Sequence, residues 1–346
     1  MKNTSNLLTV LGIVIIIGGF GTLFWYISWD GPVVEYGTIV QTIDFPSGVD
    51  NPKIALDALG ISANFEVLIE DLESNKLAEI RNEVSGPKQL SSNYETKVDH
   101  WVITSDDLGN YSVGYERQQE TKIYRFRHDI QIIVDYEAVV SLDLETNVGN
   151  IILTSEENNI DVSIKTLVTL GGDILVDILG ANSTIHTGEI ETLDGDVKIF
   201  LAENTTVMGN LALSAFKGVV SLNCSEGTYL DIDELLIQTN NGNSRVKFDN
   251  ILVASDLNFT ISLVVGSLNM TWNQETFTSD NLFYIDVNSG NVDVLLDFHP
   301  NIGTLFDIEV ISGSEEVPSD TTGSGGMGEI SFFIKTYSGN VNVTRI

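Results

Sequence analysis

The side chains in this sequence that could do acid–base chemistry are carboxylates, and they crowd. Asp231, Asp233 and Glu234 lie together in "YLDIDELL", and Asp194 stands two residues from Asp196. Glycoside hydrolysis needs a carboxylate pair about the scissile bond, and polysaccharide elimination needs a base beside a cation that stabilises developing charge. Composition argues against that reading, because 49 Asp and Glu in 346 residues put carboxylates near one another by abundance alone. The four histidines, His100, His128, His186 and His299, show no metal-ligand spacing. No glycine–aspartate nonapeptide of the calcium-binding kind occurs either. The sequence therefore assigns no catalytic residue, no metal ligand and no cofactor. The lone cysteine, Cys224, rules out an intrachain disulfide.

Any functional group would have to be positioned by a repeat. "VNSGNVDVLL" and "YSGNVNVTRI" are two copies of one pattern, and glycines in similar settings stand at Gly149, Gly172, Gly195, Gly218, Gly242, Gly266, Gly290, Gly313 and Gly339. The spacing is 23 or 24 residues, with 26 in the final interval. Five residues before each glycine stands Leu144, Leu167, Ile190, Leu213, Ile237, Ile261, Ile285, Ile308 or Ile334. Two and four residues after it the positions are again mostly aliphatic, as at Ile151 and Leu153, Val197 and Ile199, or Val341 and Val343.

Apolar positions that alternate with polar ones are the period-two signature of a strand buried on one face. The glycine separates two such runs and predicts a corner whose backbone a β-carbon would obstruct. One coil cannot bury its apolar face alone, but a stack of coils can. The expected fold is all-β: a β-solenoid of about nine coils over 139–346, forming a rod about 43 Å long at ~4.8 Å per coil. The Ser/Gly/Pro-rich stretch "GSEEVPSDTTGSGGMG" predicts a loop insertion at 313–328, and Glu315 interrupts the apolar column there.

The unit I-x-T-x-x-G-[ND]-[VI]-x-[VIL], as in "IETLDGDVKI" and "IKTYSGNVNV", resembles the β-coil repeat of the putative-adhesin surface proteins of prokaryotes. The resemblance covers about 139–346 and departs from the pattern where Val219 follows Gly218 and Ser267 follows Gly266. It implies a surface protein built of β-coils and says little about activity.

Three further columns could carry function. Asn150, Asp173, Asp196, Asn243, Asn291 and Asn340 follow the glycines; they could bind cations or sugar, but Asx residues also favour turns and bond locally. Leu170, Leu193, Phe216, Val264, Ile311 and Tyr337 precede the glycines by two, as corner packing or as an exposed docking stripe. The sequons Asn110, Asn182, Asn204, Asn223, Asn258, Asn269 and Asn342 are candidate glycosylation sites.

Upstream, Leu7 to Ile27 contains no charged residue, enough helix to cross a bilayer core. Lys2 precedes it, while Trp25, Tyr26 and Trp29 followed by Asp30 and Glu35 succeed it. That asymmetry predicts a cytoplasmic tail (1–6), a transmembrane signal anchor (7–28) and everything beyond on the outer side of the cell membrane. Residues 29–138 read as a membrane-proximal β-rich cap. In it, "WVITSDDLGNYSVGYER" is a hairpin about Leu108–Asn110, "YRFRHDIQIIVDY" a strand and "SNKLAEIRNEVSG" a short helix.

A formal net charge of −32 excludes nucleic acid, whose phosphates need a Lys/Arg footprint. The expectation is a non-enzymatic, membrane-anchored extracellular adhesin or envelope component with a cell-surface protein or glycan as partner. The alternatives are a carbohydrate-active lyase or hydrolase on the same scaffold and an envelope-sensing ectodomain.

Overall fold

The computed structural model describes residues 33–49, 51–72, 75–87, 100–106, 110–116, 127–254, 257–277, 281–324 and 327–346. They form two long sheets, each of 13 strands, packed face to face. Each regular coil gives one strand to each sheet. Asp161–Thr169 lies in what we call the pre-glycine sheet, the chain turns at Gly172, and Ile174–Ile178 lies in the post-glycine sheet. A second corner near Asn182 leads to Thr184–Asp194, directly beside Asp161–Thr169.

Neighbouring coils pair in parallel with an offset of one repeat, so like stacks on like. Leu167 is flanked by Leu144 and Ile190, and Ile174 by Ile151 and Val197. The aliphatic column five residues before the glycine is buried throughout except at Ile308, which is half-buried on the strand at the sheet edge. The buried interior changes character along the rod. Past Phe65 and Trp101 at the N-terminal end it is aliphatic through the Gly149–Gly218 coils and then aromatic, where Trp272 meets Phe248, Phe283 and Phe298 with ring centroids 5.4, 4.9 and 5.2 Å apart. The indole N–H donates to Gln274 Oε1 at 2.8 Å, and Gln274 in turn donates to the carbonyl of Ile251, so this buried polar pair is satisfied.

The glycine column has a physical cause beyond its backbone angle. A Cβ placed on Gly172, Gly195, Gly218 or Gly242 would lie 1.6–2.1 Å from the carbonyl oxygen of the preceding glycine in the ladder. Corner backbones stack in direct contact, coil on coil, and no side chain fits between them. Gly149, Gly172, Gly218, Gly266, Gly290, Gly313 and Gly339 also have φ between +138° and +153°.

Both ends of the rod depart from chain order. At the N-terminal end the sheets run past the first glycine coil. Lys53–Ile61 pairs with Val139–Thr146, and Ala63–Glu70 with Ile151–Ser155, making one more coil whose corner carries Ala63. Tyr111–Glu116 and Arg127–Asp135 stack beyond it, although they come later in sequence. Val33–Asp44 and Lys76–Pro87 add two antiparallel strands to the post-glycine sheet, and His100–Ser105 closes the other as a hairpin with Tyr111–Glu116. The residues at the tip of that hairpin, 107–109, lie outside the described ones.

Here the expected short helix is corrected. Lys76–Pro87 is a strand hydrogen-bonded on both sides. Ala78, Ile80, Asn82, Val84 and Gly86 point inward, and the polar Asn82 in that column disguised the period of two.

At the C-terminal end the last coil is inserted rather than appended. Glu329–Ser338 lies between Asn281–Ser289 and Gly303–Val310, and Val341–Arg345 between Val292–Phe298 and Glu315–Glu316. The glycine order in space is therefore Gly290, Gly339, Gly313. The segment 313–328, expected as a loop insertion, carries the short strand Glu315–Glu316 and leads the chain to the inserted position of Glu329–Ser338. It also covers the outer edge, because Thr304 and Thr321 exchange backbone hydrogen bonds of 2.8 and 2.9 Å and Asp320 accepts the N–H of Phe306. The coil at Gly313 reaches the post-glycine sheet with only two residues, Glu315 and Glu316. The regular turns thus number about eight where nine were expected.

No helix among the described residues is long and apolar enough to cross a membrane. The expected anchor at 7–28 lies outside the described residues.

Candidate functional site

The column after the glycines is a structural ladder. Each side-chain oxygen accepts the backbone N–H of its neighbour one coil along: Asn150 from Asp173 at 2.9 Å, Asp173 from Asp196 at 2.8 Å, Asp196 from Val219 at 2.9 Å and Asn243 from Ser267 at 2.9 Å. Asn291 accepts from Asn340, and Asn340 from Ser314, following the inserted order of the last coils. Asn64 starts the ladder by accepting from Asn150. Such bonds satisfy the donors that a sharp corner leaves unpaired, and they use the oxygen that a cation would need. Partial burial pushes the Asp196 carboxyl up. The hydrogen bonds from Lys198 and Val219 and the Lys198 charge outweigh it and hold the group below its usual value.

The opposite corner carries a second column that the sequence reading missed. Asn159, Asn182, Asn204 and Asn250 sit at φ between 47° and 60°, and Gly227 at 72° takes the same place in its coil. Their near-repeat spacing was visible, but Asn positions outside the glycine motif were read only as sequons. Asn182 and Asn204 are such turn residues, and their side chains are exposed. Asn258, Asn269 and Asn342 point outward from strands and are exposed, whereas Asn110 and Asn223 are half-buried.

The acidic groups singled out for catalysis do not converge. Asp231, Asp233 and Glu234 are exposed on the outside of one strand, and Asp194 pairs with Lys217 at 3.7 Å. The outward pair Glu189 and Glu191 was missed. Partial burial and the neighbouring Glu189 carboxylate push the Glu191 carboxyl above its usual value. Asp177 is likewise raised by burial, in a cleft on the post-glycine face beside Leu179, Phe200 and Asn223. Its cross-strand neighbours are Thr154 and Phe200, so no second carboxylate stands opposite it. Among the described residues, no three His, Cys, Asp or Glu side chains are grouped to hold a metal.

The other titratable groups fill structural places. Cys224 is buried, and desolvation pushes its thiol well above the usual range. His186 lies 3.9 Å from Asp161, and His299 accepts the N–H of Asn301. The His100 side chain lies outside the described ones. His128 is buried with Nδ1 3.2 Å from Asn82 Oδ1. Desolvation, partly offset by the Asp129 carboxylate, pushes its imidazole down to about 4.

That depression makes a pH prediction. The unfolded chain takes up a proton near the ordinary histidine value while the folded one does not. Stability is therefore complete above about pH 6.5 and falls as pH drops toward 4, by ~1.4 kcal/mol per unit. Denaturant melts should lose about 2 kcal/mol between pH 7 and pH 5, and His128→Gln should flatten that slope. An unchanged slope in the variant would show that the loss comes from other groups.

The column two residues before the glycines is exposed. Leu170, Leu193, Phe216, Val264, Ile311 and Tyr337 retain 42–56% of their accessible surface. These side chains stand outside the corner rather than packing into it.

No protein-family model matches the chain, and no curated protein matches it. Solved structures with which it shares a general likeness include a "putative adhesin" from Bacteroides fragilis, at 14% identity and TM-score 0.36, covering 88% of this chain and 97% of that one. A "putative adhesin" from Parabacteroides merdae gives 12% identity and TM-score 0.34 over 90% and 96% of the two chains. A "putative cell adhesion protein" from Clostridium sporogenes gives 10% and 0.22 over 90% and 99%. At these values the likeness fixes no residue's role.

Proposed function

We propose that this chain is a membrane-anchored extracellular β-solenoid that acts as a surface adhesin or envelope interaction component. The observation that carries the reading is the exposed apolar column along one corner of the rod, interrupted at Asn147, Asn240 and Asn288. Many weak contacts at a fixed spacing supply avidity without any specialised coil, whereas catalysis needs one coil to differ sharply from its neighbours. The carboxylates whose pKa values are pushed up, Glu191 and Asp177, lie on different sheets and could not flank one bond.

Anchoring rests on the uncharged 7–28 segment with Lys2 before it and Asp30 after it. The net charge of −32 suits an exposed, self-repelling surface, and the outward sequons are usable acceptors wherever exported asparagines are glycosylated. Protease added to intact cells should degrade the chain from Gly31 onward and leave a small membrane-protected fragment. Protection of the whole chain would refute the outside placement.

A further inference from the structure

Along most of the rod the outer face of the pre-glycine sheet is polar, as at Ser141, Asp143 and Glu145 or at Thr260 and Ser262. At the C-terminal end this changes. Leu282, Tyr284, Leu305, Phe333 and Tyr337 on three adjacent strands, with Ile311 just past the end of one of them, keep 36–56% of their surface exposed. Cross-strand rows order the patch: Tyr284, Phe333 and Asp307 form one, and Asp286, Lys335 and Glu309 the next. The surface already receives one cation. Lys335 Nζ lies 2.8 Å from Glu309 Oε2 and 5.1 Å from the centre of the Tyr337 ring, held between a carboxylate and an aromatic face. Tyr284 and Phe333, with Asp307 beside Phe333 and Asp286 two residues beyond Tyr284, repeat that combination without an internal lysine in their row.

We propose that this patch docks a basic protein segment in which Lys or Arg residues alternate with apolar side chains. This rests on the reading of the chain as a binding rod and names the partner's chemistry. Charge chooses the occupant. A second copy would bring another net charge of −32 against Asp286, Asp307 and Glu309, whereas a cationic segment is steered in by the whole molecule. The rings supply apolar area and faces for guanidinium or ammonium groups, and the carboxylates fix register. Placement at the rod end opposite Val33 leaves the patch clear of the strands that follow the proposed anchor.

The test uses the full chain in detergent micelles and labelled peptides of about twelve residues, one alternating Arg with Leu and Trp, the other with Glu in place of Arg. The basic peptide should bind, and part of its affinity should persist at ~0.5 M salt, where surface charge is screened. Phe333→Ser combined with Tyr284→Ser should weaken it at least tenfold, and Asp286→Asn with Asp307→Asn severalfold. Ser141→Ala, far along the same outer face, should leave it unchanged. These positions face outward, so unaltered melts confirm that the variants fold. Basic-peptide binding indifferent to the Phe333/Tyr284 change would overturn the proposal. So would a patch that takes the acidic peptide, a neutral oligosaccharide or a second copy instead. A patch variant that loses the peptide yet still adheres to cells supports the peptide site and separates it from the adhesion reading. Wild-type chain that binds the peptide but no cells supports the site and counts against that reading alone.

Discussion

Replacing Gly266 by alanine is expected to remove about 3–5 kcal/mol of stability, far more than a surface methyl group should. The added Cβ would lie 1.6 Å from the carbonyl oxygen of Gly242 and 2.5 Å from its carbonyl carbon, at a φ of +150°. Neither contact can relax through a side chain, because both atoms are backbone. Two coils would have to separate, and the hydrogen bonds from Gly242 N to Val265 O and from Gly266 N to Ser289 O would lengthen together. Gly114 is the control: a Cβ there meets nothing within 4 Å, and alanine should change stability by less than ~1 kcal/mol. A loss at Gly266 as small as that at Gly114, in urea melts of the two variants, would mean that the corner backbones do not stack in contact.

Ile237→Asp should be comparably severe. Ile237 is fully buried, flanked in register by Leu213 and Ile261, and its whole column is aliphatic. A carboxylate there has no partner, so it either stays charged in an apolar interior or takes up a proton, and the cost is about 4 kcal/mol or more. Gln238 faces solvent one residue on, and the same substitution there should cost less than ~0.5 kcal/mol. Comparable losses at the two positions would place the strand in the wrong phase.

The sequence made the regular coils legible because each carries the same demands: an aliphatic inward column, a glycine where backbones touch, an Asx to bridge the corner. Leu144 to Ile334 needed no structure to align. The ends could not be read in this way. The Lys53–Glu70 coil turns the corner at Ala63 without the motif, so periodicity missed it. The order Gly290, Gly339, Gly313 is a choice among equivalent stacking partners, and repeats made alike give pattern reading no means to rank them. What distinguishes the two coils is Glu315. An inward carboxylate is tolerable only on a coil with no neighbour beyond it, and Glu315 is exposed there. Its break in the column was visible in the sequence, but it was read as local irregularity rather than as the mark of a terminal coil.

The candidate site was half legible. Chain order put the apolar residues two before the glycine in one column, but whether they pointed into the corner or away from it depends on how the chain turns there. The C-terminal aromatic patch was hidden altogether, since Tyr284 and Phe333 are 49 residues apart and become neighbours only through the insertion of the last coil.

The adhesive, non-catalytic reading is tested by measuring binding and turnover in one preparation. Purified full-length protein, immobilised through its N-terminus, should retain cells or envelope fragments while releasing no reducing ends from a panel of polysaccharides. Release of reducing ends that disappears in Asp231→Ala with Asp233→Ala, or in Glu189→Gln with Glu191→Gln, would contradict it and make the rod an enzyme.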